Sequence, residues 1–312
     1  MSKKYLITGA SGFVGANLTR KLVAKGCDVV LVLRKDSNTW RILDLLPYVK
    51  IIKADLTNLK KIRIGLSKYK PDIIYHLATY GAYSYQNDAD KILKTNLFGT
   101  WNLLKACSDL DYELFVNISS SSEYGFKEKA MKETDLLEPN SYYAVSKVSQ
   151  TLLSNFYAVN EKRPIVTLRL FSVYGPYEQP GRLVPTLLKS LFRTLPMDVV
   201  DKEIARDFIY VGDVVNLLLK VDQLKKYPGE CFNLGSGKQT TIGNIINKSI
   251  AVTKRNTKFN WGKMKSRSWD NKTWVADMTK THELLKWKTK TDLDEGIEKT
   301  WKWIIKNINY YE

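Results

Sequence analysis

The sequence of 312 residues predicts an α/β protein built on a doubly wound parallel sheet. Three observations support this prediction. A glycine-rich turn joins the first apolar run to a helical pattern, apolar runs and helical patterns then alternate through the first half of the chain, and small or polar residues follow most of these runs. Alternating strands and helices are typical of parallel sheets, in which ligands bind at the carboxyl ends of the strands.

The first βαβ unit begins with residues 5–15, which we interpret as a strand, a glycine turn and the start of a helix. Glycines at positions 9, 12 and 15 allow a tight turn, close approach of the backbone to a pyrophosphate and close packing of the helix on its strand. The helix N-terminus favours a phosphate because its N–H groups are unpaired. Residues 28–33 provide the second strand, and the complete unit predicts a bound dinucleotide.

Three further strands are expected, at residues 49–53, 71–78 and 113–118. A helix is expected through residues 96–104, and another from Tyr143 to about Val159. The third strand leads into Asp55 and Leu56, the fourth ends in a turn of small residues, and the fifth runs into four serines at 119–122. The polar motifs therefore lie where a parallel sheet binds its ligands.

Tyr143 and Lys147 carry the predicted chemistry. Four residues apart on a helix, the phenol and the ammonium share one face. A tyrosine with a pKa near 10 needs a shift of roughly three units, about 4 kcal/mol, to act as a base near neutrality. One ammonium at ~4 Å and an effective dielectric of ~20 supplies about that much. Ser120, at the end of the fifth strand, is positioned to bind the same substrate oxygen.

Composition and charge give no support for a nucleic-acid, metal or membrane partner. The net charge of +17 comes from lysines scattered along the whole chain, without a basic block interleaved with aromatics, so we do not expect a nucleic-acid partner. Three widely spaced cysteines and two histidines predict a reducing compartment and no metal site. No run reaches the ~18 apolar residues of a membrane span, and the first strand begins too early for a signal peptide, so we expect a cytoplasmic protein without a membrane partner.

Taken together, these motifs resemble the extended short-chain dehydrogenase/reductase family, in particular its nucleotide-sugar epimerases, dehydratases and ketoreductases. The resemblance covers nearly the whole chain. It rests on residues 8–15, 76–78, 96–100, 119–125, 143–147, 169–176, 206–213, 233–237 and 267–270.

The resemblance implies a Rossmann domain, at residues 1–170 plus about 207–235, and a smaller, discontinuous C-terminal substrate lobe, at about 171–206 plus 236–312. The substrate would be a nucleotide-diphosphate sugar, with Arg206 and Arg267 on its diphosphate and Asp270 on its ribose. Guanidinium forks suit phosphate. Ser172 stands where many relatives have asparagine, and Thr79 where many have alanine.

The predicted site residues form three groups. The catalytic group is Ser120, Tyr143 and Lys147. The cofactor-binding group is Gly9, Ser11, Gly12, Phe13, Val14, Arg34, Asp55, Leu56, Leu77, Ala78 and Lys147. The substrate-binding group is Thr79, Ser121, Ser172, Arg182, Leu183, Arg206, Arg267 and Asp270.

Two departures from the family pattern narrow the reaction. Dehydratases of this family carry acids where this chain has Ser121 and Ser122, with Glu123 one residue away, which argues against 4,6-dehydration. The second strand ends in Leu33-Arg34-Lys35, where an NAD enzyme usually has an acid for the ribose 2′-hydroxyl. Arginine there suits a 2′-phosphate and favours NADP(H), although Asp36 leaves NAD(H) as the alternative.

We therefore expect an NAD(P)-dependent oxidoreductase acting at C4 of a nucleotide-activated sugar. A C4 epimerase with tightly bound NAD is the alternative. The NADP(H)-like end of the second strand favours net reduction over epimerisation, because an epimerase regenerates its cofactor in place and needs no external reductant. A non-catalytic dinucleotide sensor is a third hypothesis, against which the intact Tyr143 and Lys147 argue.

A homodimer is also expected, because relatives pair two helices per subunit into a four-helix bundle. Residues 90–107 and 147–159 occupy those positions. Apolar residues recur at helical spacing on the second of these helices. They are Val148, Leu152, Phe156 and Val159. Packing of the helix on its own sheet would explain the same spacing.

Overall fold

The computed structural model describes residues 3–264 and 270–311 and divides into two compact units. Unit 1 comprises Met1–Gly125, Leu136–Leu170 and Val215–Phe232. Unit 2 comprises Phe126–Asp135, Phe171–Val214 and Asn233–Glu312.

The strands are numbered in chain order. They are β1 (Lys4–Thr8), β2 (Asp28–Leu33), β3 (Lys50–Lys53), β4 (Ile73–His76), β5 (Leu114–Ser120), β6 (Ile165–Leu170), β7 (Ser172–Tyr174), β8 (Met197–Asp198), β9 (Ala205–Tyr210), β10 (Cys231–Leu234), β11 (Gln239–Thr241) and β12 (Phe259–Asn260).

The helices follow the same convention. They are α1 (Phe13–Ala24), α2 (Leu59–Tyr69), α3 (Ala89–Leu93), α4 (Gly99–Cys107), α5 (Tyr142–Val159), α6 (Leu183–Arg193), α7 (Val211–Leu218), α8 (Val221–Leu224), α9 (Ile242–Thr253), α10 (Thr279–Leu285) and α11 (Leu293–Lys306). A π-helical segment, Lys94–Phe98, joins α3 to α4.

The large sheet has seven strands in the order β10-β6-β5-β4-β1-β2-β3. Strand β1 pairs in parallel with β2 and β4, and the pairs β2–β3, β4–β5 and β5–β6 are also parallel. The predicted α/β fold with a doubly wound parallel sheet is confirmed. Its central strands are buried on both faces, as β4 shows with four buried residues of four, because helices cover both sides of such a sheet.

The core of unit 1 packs aliphatic residues of this sheet against its helices, among them Leu6, Val30, Ile74, Leu103 and Phe115. Unit 2 has its own core and its own small sheets, β11-β9-β7 and β12-β8. Residues of α6, α9 and α11 supply much of that core, including Leu187, Ile245 and Ile297.

Three segments lie in a different unit from the one that the sequence indicated. Residues 233–235 belong to unit 2. Residues 207–214 belong to unit 2, because β9 pairs with β7 and β11. Residues 126–135 also belong to unit 2, where Met131 forms a bridge with Ala276.

Within the two described ranges, no helix combines the length and the apolar character that a membrane crossing requires.

Candidate active site

The glycine turn after β1 is built as the sequence predicts. Gly9 has a φ of +72°, and a Cβ there would lie 2.6 Å from the backbone nitrogen of Ala78. At Gly15 a Cβ would lie 2.2 Å from the carbonyl oxygen of Gly9. Any larger residue at either position would therefore push the turn away from its neighbours.

The N-terminus of α1 has the features of a phosphate site. Gly12 is its N-cap, no side chain caps the helix, and the first turn carries no acid. A Cβ on Gly12 would meet only the Gly9 carbonyl, at 3.1 Å, and otherwise open space. Phe13 and Val14 begin the helix, so their N–H groups lie in its first turn. The residues present fit the pyrophosphate of a dinucleotide.

The neighbouring strand ends carry the other predicted cofactor contacts. After β4, Leu77 and Ala78 are held to β1 by hydrogen bonds from their N–H groups to the carbonyl and the hydroxyl of Thr8, both at 3.2 Å. After β3, Asp55 accepts hydrogen bonds from the backbone and hydroxyl of Thr57, and Leu56 is buried.

Arg41 was not predicted, yet it reaches the glycine turn. Its guanidinium donates to the carbonyl oxygen of Ser11 at 3.3 Å, and it lies 4.4 Å from the centre of the Trp40 ring. The residue is 5% exposed. Only the tertiary fold brings position 41 to position 11, so no local pattern would have indicated it.

Arg34, the residue that favours NADP(H) in the sequence, forms an ion pair at the end of β2. Its Nε lies 3.6 Å from Oδ1 of Asp36. The arginine side chain is 41% exposed and the aspartate 77% exposed. The strand end therefore presents a carboxylate together with the guanidinium.

Helix α5 packs along β5 and brings Lys147 to the strand that ends in Ser120, with Tyr143 one turn earlier on the same helix. Ser141 caps the helix, accepting a hydrogen bond from the Ala144 N–H at 3.1 Å. The Ser120 hydroxyl caps the following 3-10 turn and accepts from the Ser122 N–H at 3.1 Å. Ser120 and Tyr143 are both partly exposed.

Lys147 is 2% exposed, and its ammonium donates to two neutral oxygens. One is the carbonyl of Ile118, at 2.6 Å, and the other is Oε1 of Gln150, at 2.5 Å. Burial lowers the pKa of Lys147 to about 8, against a smaller opposing effect of Glu123. The charged form of the lysine is therefore less stable than that of an exposed lysine.

Glu123 lies at the centre of a buried polar cluster. One carboxylate oxygen accepts from Nε of Arg169 at 2.7 Å, and the other accepts from the hydroxyls of Ser119 and Thr151. Arg169 also donates to the Tyr124 hydroxyl at 3.0 Å. Because Glu123 is fully buried, it is not available to a substrate as an acid.

Asn96 connects the loop after β4 to α5. Its amide oxygen accepts from the Tyr80 N–H at 2.8 Å and the Thr79 hydroxyl at 3.2 Å, and its nitrogen donates to Tyr80 and to the Ser146 hydroxyl. Ser146 in turn donates to the Tyr143 carbonyl at 2.7 Å. The structure therefore gives Thr79, a predicted substrate residue, a hydrogen bond within the loop.

In unit 2, the structure brings together two of the predicted substrate residues. A guanidinium nitrogen of Arg206 lies 2.6 Å from Oδ1 of Asp270, and the guanidinium lies 5.4 Å from the centre of the Trp274 ring. Ser172 begins β7, Arg182 is the N-cap of α6, and Leu183 is its first residue.

Ser121 and Arg267 are two further predicted substrate residues. Ser121 belongs to unit 1 and is 5% exposed. Arg267 lies outside the described residues.

Asp207, next to Arg206, organises the loop at residues 233–237. Its carboxylate accepts from the N–H and hydroxyl of Ser236, both at 2.6 Å, and from the N–H groups of Gly237 and Ala276, both at 3.0 Å. Burial raises the pKa of this carboxyl, while the hydrogen bonds act in the opposite direction. A buried carboxylate that accepts four hydrogen bonds fixes the backbone beside Arg206.

Comparison with known proteins agrees with this geometry. The model of the family described as GDP-mannose 4,6 dehydratase matches residues 6–300. The chain belongs to this family.

An uncharacterised UDP-glucose epimerase of Bacillus subtilis is 29% identical to this member of the GDP-mannose 4,6 dehydratase family, with 94% of this chain and 95% of the relative covered. A UDP-glucuronate 4-epimerase of Thermodesulfobacterium geofontis is also 29% identical, with 97% of each covered. The structure of a UDP-glucuronic acid 4-epimerase from Bacillus cereus, in complex with UDP-glucuronic acid and NAD, has a TM-score of 0.86 at 29% identity, covering 97% of this chain and 99% of that chain.

The predicted membership of the extended short-chain dehydrogenase/reductase family is confirmed. This member of the GDP-mannose 4,6 dehydratase family is an enzyme that uses a nicotinamide dinucleotide. The assignment of individual site residues remains a prediction.

Proposed function

We propose that the protein is a C4 epimerase of a nucleotide-diphosphate sugar and that it retains NAD(H) through its catalytic cycle. The observation that carries the choice of cofactor is the pairing of Arg34 with Asp36. A carboxylate at the end of the second strand accepts a hydrogen bond from a ribose 2′-hydroxyl and repels a 2′-phosphate. We therefore replace the preference for NADP(H) by NAD(H), which is also the cofactor named in the Bacillus cereus complex.

The residues of unit 1 would move the proton. Tyr143 takes the proton of the C4 hydroxyl as its phenolate and returns it after the sugar ring has exposed its other face. Ser120 holds the same oxygen by a hydrogen bond, and the charge of Lys147 stabilises the phenolate. A bound nicotinamide dinucleotide supplies the hydride acceptor and donor. Because the hydride is returned to the sugar, the reaction consumes no reductant.

The residues of unit 2 would bind the nucleotide diphosphate. Arg206 is suited to it because a guanidinium binds phosphate oxygens bidentately, and Asp270 already fixes the orientation of that guanidinium. Asp270 remains the proposed ribose contact, and Arg267 a proposed second phosphate contact. UDP-glucuronate and UDP-glucose are the first substrates to test, since both occur in the names of the relatives.

Dehydration across C5 and C6 is not part of this proposal, despite the description of the family. Dehydration needs an acid beside the sugar, and Ser121 and Ser122 provide none. Glu123, the adjacent acid, is buried against Arg169.

Net reduction of a 4-keto sugar by NADPH is the second candidate. The observation that favours it is the exposure of the Arg34 side chain, 41%, which leaves the guanidinium accessible to a 2′-phosphate. Exposed ion pairs contribute only about 0–1 kcal/mol, so a ligand phosphate can compete with Asp36.

One experiment separates the candidates. The purified enzyme is incubated with UDP-glucose or UDP-glucuronate, the sugars are separated by chromatography, and NAD(P)H absorbance is followed. An epimerase forms the C4 epimer without accumulation of reduced cofactor. These sugars carry a hydroxyl at C4, so a ketoreductase is observed in the reverse direction: with added NADP+, NADPH formed in proportion to a 4-keto sugar supports the second candidate. A 4-keto-6-deoxy product would contradict both proposals.

The matched variants Arg34→Ala and Asp36→Asn test the cofactor. Asp36→Asn should weaken NADH binding, whereas Arg34→Ala should leave it nearly unchanged. If Arg34→Ala instead weakens NADPH by about ten- to a hundred-fold, the energy of one charge-assisted hydrogen bond, the second candidate is supported.

The homodimer, the cytoplasmic location and the absence of nucleic-acid and metal partners remain predictions. The surface of α5 supports the dimer, because Leu152, Phe156 and Val159 are at least half exposed.

A further inference from the structure

We propose that Gln150 is a positioning residue that holds the Lys147 ammonium in place and keeps it charged. Gln150 lies one helical turn after Lys147 on α5, and it belongs to none of the predicted site groups. The inference rests on the proposed function only in taking the charge of Lys147 to act on Tyr143.

The Lys147 ammonium has its hydrogen-bond partners on two elements of unit 1. The Ile118 carbonyl of β5 accepts at 2.6 Å, and Oε1 of Gln150 accepts at 2.5 Å. The carbonyl is a fixed part of the sheet. Gln150 is therefore the one of these two partners that a substitution can remove.

The orientation of the Gln150 amide is set by a chain of hydrogen bonds. An ammonium can only donate, so the oxygen of Gln150 faces Lys147. The nitrogen of Gln150 then donates to Oδ1 of Asn117 at 2.5 Å, and the Asn117 nitrogen donates to the Thr167 hydroxyl at 3.2 Å. While Lys147 is charged, each amide in this chain has one orientation. The ammonium sets that orientation, because the Thr167 hydroxyl at the other end can either donate or accept.

Burial increases the cost of losing the hydrogen bond between Gln150 and Lys147. Gln150 and Asn117 are fully buried, and Lys147 is 2% exposed, so water does not replace a lost acceptor. The charged and titratable groups around Lys147 are Glu123 and His76, with Arg169 behind Glu123, and Tyr143 lies one helical turn earlier on α5. Burial lowers the pKa of His76 to about 3, so it stays neutral. The carboxylate of Glu123 is engaged by Arg169, Ser119 and Thr151, so the direct contacts of Lys147 are the two neutral oxygens.

Removing the acceptor destabilises the charged form of Lys147, and a carboxylate in its place stabilises that form. Gln150→Leu should lower the pKa of Lys147 by about one to two units, equivalent to one charge-assisted hydrogen bond. Gln150→Glu should raise it by about one unit or more. Since activity needs the charged lysine, the alkaline limb of kcat should move in the same direction in each variant.

The experiment follows Lys147 itself as well as turnover. Protein labelled with ¹³C at lysine Cε is titrated by NMR, and the Lys147 resonance is assigned by its loss in Lys147→Met. The profile of kcat against pH is recorded on the same variants with a nucleotide sugar. Ser154→Ala is the matched control, because Ser154 is also buried on α5 but has no hydrogen bond to Lys147 or Gln150, and it should leave both titrations unchanged.

Opposite shifts in the Leu and Glu variants, at Lys147 and in kcat, support the proposal. An unchanged Lys147 titration in Gln150→Leu overturns it, even if turnover falls, because the residue would then be merely structural. If Gln150→Leu does not fold, Gln150→Glu decides alone by the sign of its shift. If Lys147 shifts as expected but wild type turns over no nucleotide sugar, the proposed function fails and the role of Gln150 stands.

Discussion

Replacing Glu123 by glutamine should destabilise unit 1 severely, because it leaves Arg169 charged in a buried site. The two side chains are 0% and 5% exposed, and their atoms are 2.7 Å apart. Breaking a buried pair by removing one partner costs about 3–5 kcal/mol. The Tyr124 hydroxyl still accepts from the guanidinium, so we expect the lower part of this range.

The measurement is the free energy of unfolding in urea, followed by circular dichroism. The matched control is Glu298→Gln, which breaks an exposed pair with Lys302 at a similar distance, 2.6 Å. An exposed pair of this kind contributes about 0.3–0.5 kcal/mol. The double variant Glu123→Gln/Arg169→Met removes both charges and should recover much of the lost stability.

The reasoning is refuted if Glu123→Gln is no less stable than Glu298→Gln. A second outcome would be equally informative: a variant of normal stability whose turnover is abolished would make Glu123 a catalytic acid and reopen dehydration as the reaction.

Two further predictions concern catalysis and assembly. Tyr143→Phe should lower kcat by at least two orders of magnitude, the scale of acid–base catalysis, while cofactor affinity measured by titration stays within a few-fold; turnover near that of wild type would remove Tyr143 from the mechanism. Leu152→Glu should change the mass in light scattering from dimer to monomer, whereas Leu136→Glu, at a 75% exposed residue outside α5, should not; a wild-type monomer at micromolar concentration would contradict the predicted dimer.

The parts of the fold that the sequence predicts well are those fixed by local patterns. Strand β2 begins and ends where the apolar run does, at Asp28–Leu33. Helix α5 begins one residue before the predicted Tyr143 and ends at Val159. The glycine turn was equally predictable, because the positive φ of Gly9 and the contact that a Cβ on Gly15 would make with the Gly9 carbonyl both arise within the turn itself.

The partners of polar side chains could not be predicted, because they are set by packing between distant segments. In the sequence, Glu123 is an acid one residue away from the positions of the dehydratase acids. Its partner in the structure, Arg169, is 46 residues further along the chain. Arg206 and Asp270 were assigned to the substrate separately, and their pairing spans 64 residues. The placement of residues 126–135 in unit 2 has the same origin, since Met131 meets Ala276 through the backbone.

The buried charges around β5 bear on the role proposed for Lys147 beside Tyr143. Lys147 and Arg169 are cations and Glu123 is an anion, so these three groups carry one net positive charge when Tyr143 is a neutral phenol. Arg169 binds Glu123 directly, and the direct contacts of Lys147 are neutral oxygens, so the uncompensated charge resides on Lys147. Ionisation of Tyr143 brings the net charge of the four groups to zero. In the proposed mechanism, an anionic Tyr143 therefore balances the charge of Lys147, which burial destabilises while that charge is uncompensated.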